Sequence, residues 1–428
     1  MFCVDIDFFI IFVEKVTVMA LNIKPINASR LNATEEYIFI RHLIDCYSLV
    51  YNKETKRYDC DYNIAVTDSF VNSDGKFYLK FGKINGDFSC DSCNMLKSLD
   101  GAPTHVTGDF DCSNCGKLTD LVGAPHTVEG SFRVTNCNRL VSINGAPKIV
   151  GDSFFCSWNE QLKSIGGAED MVCKSFYCTD NPNLTSLKGA PKKVYNFSCT
   201  KTRIKTLEGA PQIVDGDFQC RECQSLESLD GAPYKVGGNF VCFNCNKLTT
   251  LKGSPAVVGK GFNCSECKNL ISLEGSPQKV EGSFHCHDCP SLMSLEKSPK
   301  HIGYNVNCDG CSNVKSLNGL PNHINGSLSC EGCSIESLDN SPNSILLDFK
   351  LSYNTNLKSL KGSPMKIGGD FSIEGCHSIT SLEYSPMKIG GVYDCRECSG
   401  LKSLDGRTTN NIMPPTHLRN ESPLDRYQ

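Results

Sequence analysis

Residues 106–127 read VTGDFDCSNCGKLTDLVGAPHT, and residues 128–149 repeat the pattern as VEGSFRVTNCNRLVSINGAPKI. Working outward, V-x-G-x-F-x-C-x-x-C-x-x-L-x-S-L-x-G-x-P-x-x returns with a period of 22 residues. Val106, Val128, Val150, Val172, Val214, Val236, Val258 and Val280 open successive units, continued by Ile302, Ile324, Ile345, Ile367 and Ile389. The unit opening at Val194 is two residues short and the unit opening at Ile324 is one residue short. The array runs from Ile84 to Gly406 and holds about fifteen units. A fixed period of this length is the signature of a solenoid, in which each unit buries its apolar face only against its neighbours.

The columns of the repeat have separate physical readings. Phe110 and Cys112 are two apart, so they point to one face of a strand, while Asp109, Asp111 and Ser113 are expected to face water. Gly108 fits a bend entering the strand. Leu118 and Leu121 return apolar side chains to the core from the opposite wall. Gly123 and Pro125 mark a turn with no room for a full helix.

At this point the unit resembles a leucine-rich repeat, whose L-x-x-L-x-L-x-x-N/C-x-L pattern recurs about every 20–29 residues. Phe takes the second strand leucine, the first Cys the third, and the second Cys the Asn/Cys site. The stretch LKSLDGAP at 96–103 is similar to the short bacterial repeat class, and the whole to repeat proteins of large phages and giant viruses. Two steps depart from the family: Val106 to Phe110 and Cys115 to Leu118 are each one residue longer than usual. The resemblance implies a mainly β horseshoe, with parallel strands on its concave face and short turns or 3-10 segments on its convex face. It also implies that exposed strand positions contact partners.

The chain holds 27 cysteines. Nine units carry a complete C-x-x-C, and consecutive pairs such as Cys90/Cys93 and Cys112/Cys115 have zinc-ribbon spacing. The irregular units argue otherwise. Val134, Leu351 and Ile373 replace the first Cys, whereas Asn159, Asn181, Asn354 and Thr202 replace the second. A metal ligand does not become valine, but a small buried side chain does. Asn in the second column predicts a ladder of buried side chains serving backbone groups of the turn. Structural thiols, a reducing cytoplasm (of the cell or of a host) and no metal or other cofactor are therefore expected. Cys3, Cys46, Cys60 and Cys173 fall outside both columns.

Residues 1–18 are apolar but interrupted by Asp5, Asp7 and Glu14, with no basic region ahead, so they read as neither export signal nor membrane span. Two readings of them stay open: an extension upstream of a start at Met19, or an apolar strand or helix against the array. Residues 19–83 are expected to form a small α+β cap, with a helix from 33 to 51 started by Asn32. Strands are expected from Tyr62 to Phe70 and Lys76 to Phe81, around a turn at Ser73, Asp74 and Gly75. The polar segment 407–428 reads as disordered.

A net charge of −4 with no Lys/Arg run excludes a sequence-independent grip on nucleic acid. No phosphate-binding loop or nucleophile elbow is visible. The expected function is a monomeric, non-enzymatic scaffold that binds a protein partner. The alternatives are a structural or surface component of a virus particle, or a metal or redox protein using the stacked C-x-x-C pairs. Two clusters on the exposed strand face are candidate contact residues: Phe155, Trp158 and Tyr177 in adjacent units, then Val241, Phe243, His285 and His287. His285 and His287 alternate on one strand and would need His301 to hold a metal; no carboxylate companion is apparent for them.

Overall fold

The computed structural model describes residues 7–13, 16–22 and 33–421. It is a mainly β solenoid of about sixteen turns built from parallel strands. By Cα packing the chain divides into two compact units, 1–203 with 208–211, and 204–207 with 212–428.

Each turn contributes two very short strands rather than one. In the first unit, Ile64, Phe88, Phe110, Phe132, Phe154, Phe176 and Phe197 stand in register along one parallel ladder. A second ladder aligns Cys60, Ile84, Val106, Val128 and Val150. The second unit repeats both. Its Phe ladder begins Phe218, Phe240, Phe262 and Phe284, and part of its Val ladder aligns Val214, Val236, Val258, Val280 and Ile302.

The alternation explains the core. Phe110, Cys112, Leu118 and Leu121 are all fully buried. Parallel strands repeat about every 4.8 Å, which brings equivalent rings into offset-stacking range. Phe110 and Phe132 stack with centroids 4.9 Å apart and planes 9° from parallel. The widest step of this ladder in the first unit, 6.1 Å, lies between Phe176 and Phe197, which are 21 rather than 22 residues apart.

Two glycine columns do different work. Gly123 sits at φ +96°, and a Cβ there would lie 2.6 Å from the backbone of Leu99, so both conformation and space demand glycine. Gly108 is not in the left-handed region. Its lack of a side chain lets the Asp87 carboxylate pass and accept a hydrogen bond from the Asp109 N–H at 2.8 Å. Asp109 likewise accepts from the Ser131 N–H at 2.7 Å. Asp87 and Asp109, the latter expected to face water, bond one turn to the next.

Several expectations are corrected. Val172, read as the opening of a unit, is 66% exposed, while Cys173 beside it is buried. Here Glu169 stands where the previous turn has Pro147, and Val172 bridges Ile149 instead of Val150. A one-residue slip of a strand reverses which side chains point inward. Cys60 and Cys173 therefore both fill Val-column positions. Ser113, expected in water, is buried beneath Thr135, whose hydroxyl donates to it at 3.0 Å.

The cap also differs. The helix spans Ala33–Cys46, not 33–51. Ser48 turns left-handed at φ 51°, and the Leu49 N–H bonds the Ile44 carbonyl, a C-terminal cap that releases Val50–Asn52 to pair antiparallel with Arg57–Cys60. Only Ile64–Ala65 of the first expected strand forms a strand; Asp68–Phe70 is a 3-10 turn. The turn at Ser73–Gly75 is present, closed by Asn72, which accepts from the Asp74 and Lys76 N–H groups. Asp7–Val13 and Val16–Asn22 pair as an antiparallel hairpin. Cys3 and Asn32 lie outside the described residues.

Of the segment 407–428, expected to be disordered, residues 407–421 are described and carry structure, and the rest lies outside the described residues. Ile412–Met413 adds a parallel strand beside Tyr393–Asp394, and Thr416–Glu421 forms a 3-10 turn that buries Leu418. The last coil offers an unpaired strand edge, and this segment satisfies it: Tyr393 and Cys395 donate to Asn411 and Met413.

Candidate functional site

In most turns the residue after the ladder phenylalanine is at least partly exposed between buried neighbours; Ser198, after Phe197, is buried. In three consecutive turns this position holds Arg133, Phe155 and Tyr177, paired in register. Phe155 and Tyr177 stack with centroids 5.0 Å apart and planes 11° from parallel, and both are half-buried. The Arg133 guanidinium lies over the Phe155 ring at 5.4 Å, held by Asp109 at 2.7 Å. The result is a fixed row of carboxylate, guanidinium and two rings.

Trp158 joins this row from the turn. It is 58% exposed and sits at φ +55°, in a column otherwise held by residues such as Asn114, Asn136 and Asp180. Its N–H donates to the Thr179 carbonyl, so the turn itself is bonded to the next coil. The left-handed conformation recurs in this column from Ser92 to Glu397, so it belongs to the turn of the repeat and not to Trp158 alone.

The second predicted cluster is not contiguous. Val241 and His285 are half-buried but separated in register by Asn263. Phe243 and His287 are half-buried on the turns either side of the one carrying Ser265, a fully buried residue whose hydroxyl has no hydrogen-bond partner. His287 does have a carboxylate companion, Asp288, at 2.9 Å. His301 belongs to the Val ladder and faces Glu281 at 3.6 Å, so the three histidines do not converge. Burial and the neighbouring His287 hold His285 below its ordinary pKa. Among the described residues no group of three or more His, Cys, Asp or Glu side chains is placed to hold a metal ion.

The cysteine columns resolve into two kinds of interior bond. First-column thiols lie against the strand carbonyl of the following turn, as with Cys112 on Arg133 at 3.4 Å and Cys264 on His285 at 3.5 Å. Second-column thiols donate back to the preceding turn: Cys115 to the Cys90 carbonyl at 3.2 Å, Cys245 to Cys220 at 3.1 Å. Asparagine performs the same task more completely. Asn181 donates to the Cys156 carbonyl at 2.8 Å and accepts from the Asn159 N–H at 2.9 Å. Asn159 does the same with Val134 and Cys137, and Asn354 with Cys330 and Ile335. Of the free cysteines described, Cys46 is exposed and the rest are buried. Burial pushes Cys267 and Cys330 up to about 11 and Cys333 and Cys376 up to about 12, away from the reactive thiolate.

Sequence patterning singled out Phe155, Trp158 and Tyr177 as candidates and did not single out Arg133 and Asp109, which the structure places in line with Phe155. Their signal was present: Arg133 is the basic residue one repeat before Phe155, in the same column. No helix among the described residues is long and apolar enough to cross a membrane. Comparison of the chain with models of known protein families and with curated proteins returned no match.

Proposed function

We propose that the protein is a non-enzymatic scaffold that binds a protein partner through the outward positions of its Phe ladder, centred on Phe155, Trp158 and Tyr177. The observation that carries this reading is the stacked, half-exposed Phe155–Tyr177 pair mounted on a rigid ladder. Aromatic side chains held in place before contact lose little entropy on binding, which is why they recur as hot spots. The resemblance of the repeat to leucine-rich repeats supports the same face. The Val241, Phe243, His285 and His287 positions lie in the second unit and are interrupted by Asn263 and Ser265, so they form no continuous surface of their own.

An affinity pull-down from cell lysate, comparing wild type with Phe155→Ala/Tyr177→Ala and with Phe243→Ala, tests the assignment. The double variant is expected to lose specific partners that Phe243→Ala retains, with an unchanged thermal midpoint. Retention of every specific partner by the double variant removes the aromatic face from the interface.

A further inference from the structure

We infer that Cys308 and Cys330 form an oxidation site, at which hydrogen peroxide joins two neighbouring turns of the second unit by a disulfide.

Three observations lead there. First, the two thiols meet. Their strands run in register at Val306–Leu328 and Asn307–Ser329, so Cys308 and Cys330 follow as the next facing pair. Their sulfurs lie 2.8 Å apart. A disulfide bond is about 2.05 Å long, so closing it moves the sulfurs by less than about 1 Å. Parallel strands about 4.8 Å apart also fall within the Cα separations that a disulfide spans.

Second, the pair departs from its column. Cys220, Cys242 and Cys264 lie against the strand carbonyl of the following turn at 3.5, 3.6 and 3.5 Å. Cys308 keeps that place, on the Ser329 carbonyl at 3.3 Å, and the Cys330 thiol is brought back onto it. Third, the packing beside the pair is different. Two residues before each cysteine, the ring column reads Phe284, Val306, Leu328, Phe349. Alternate residues of a strand share a face, so the missing rings lie on the thiols' own side. Val306 and Leu328 are smaller than the phenylalanines they replace and leave the sulfurs more room to turn toward each other.

Both thiols are buried, and burial holds Cys330 up at about 11, so the reaction is slow near neutral pH. The Cys330 thiolate attacks one oxygen of the peroxide. The O–O bond breaks, a sulfenic acid forms on Cys330, and the other oxygen leaves as water. The Cys308 sulfur then displaces the hydroxyl: the S–S bond forms, the S–O bond breaks, and the Cys308 proton leaves in a second water. The two sulfurs lose two electrons, and the peroxide gains them.

The test treats the reduced full-length protein with hydrogen peroxide at about pH 9 and maps its peptides without reduction. Cys46, the exposed thiol, is oxidised first and serves as the clock. A peptide linking Cys308 to Cys330, lighter by two hydrogens, is expected to be the most abundant linked pair of the cysteine columns. It should form more slowly at about pH 7, with circular dichroism unchanged. Cys308→Val should abolish the link, since the first column already holds Val134, and Cys245→Val should leave it. The wild-type map decides even where Cys308→Val fails to fold.

Cys308 and Cys330 still reduced when Cys46 is fully oxidised overturn the inference. A map dominated by another pair, such as Cys308 with the neighbouring Cys286, overturns it too. So does a link that appears only after the circular dichroism signal is lost, because an unfolded chain pairs cysteines without regard to the ladder.

Discussion

The turns around Asn159 and Asn181 in the first unit and those around Cys245 and Cys267 in the second perform one structural task with different chemistry. At Asn181 an amide both donates to the preceding turn and accepts from it, at 2.8 and 2.9 Å. At Cys245 a thiol donates to the Cys220 carbonyl at 3.1 Å, and sulfur accepts weakly, as Cys267 does from the Cys245 N–H at 3.4 Å. Thiols are poor donors and acceptors, so the amide turns are held by stronger bonds. The exposed aromatic row stands on those amide turns: Phe155 and Trp158 share a coil with Asn159, and Tyr177 with Asn181. The proposed binding surface thus stands on the more strongly hydrogen-bonded of the two kinds of turn.

The largest test of this contrast is Asn181→Leu. It strands the Asn159 N–H and the Cys156 carbonyl in the core, and should cost about 3 kcal/mol in urea unfolding, since each buried orphan costs roughly 1–3 kcal/mol. A loss near zero would break the distinction between amide and thiol turns. Cys245→Val should cost about 1 kcal/mol, the net worth of one hydrogen bond. Cys245→Asn should restore or exceed the original stability, because it imports the amide pattern.

The smallest effect concerns pH. With His285 held below its ordinary pKa in the fold, the unfolded chain binds more protons near pH 6. Stability should therefore fall as pH drops from about 7 toward 5, and His285→Gln should flatten that slope. A slope unchanged by the substitution would show that the half-buried imidazole does not distinguish the second region. The aromatic row of the first region carries no histidine and should bind its partner equally well across this range.

Much of the architecture was readable in advance because a solenoid converts sequence period directly into spatial stacking. The interior columns were legible for that reason, and the Asn/Cys exchange in the second column correctly announced a hydrogen-bond ladder. Less legible was anything set by a neighbouring turn. Val172 looks like a core valine, yet loss of the proline before it lets the strand slip and exchanges it for Cys173. The helix ends at Cys46 because Ser48 takes a left-handed conformation that the apolar run YSLVY does not advertise. Ile412 and Met413 find order only because the preceding coil offers them an edge.

The amino-acid order alone determined the period, the inward columns and the candidate aromatics, since alternation along a strand dictates which side chains share a face. Only the tertiary structure decided that Arg133 lies on Phe155, that Asp109 bonds the next turn, and that Asn263 and Ser265 divide the second cluster. Those facts depend on side chains about 22 residues apart in sequence meeting across one ladder spacing of about 4.8 Å. No local pattern encodes that meeting.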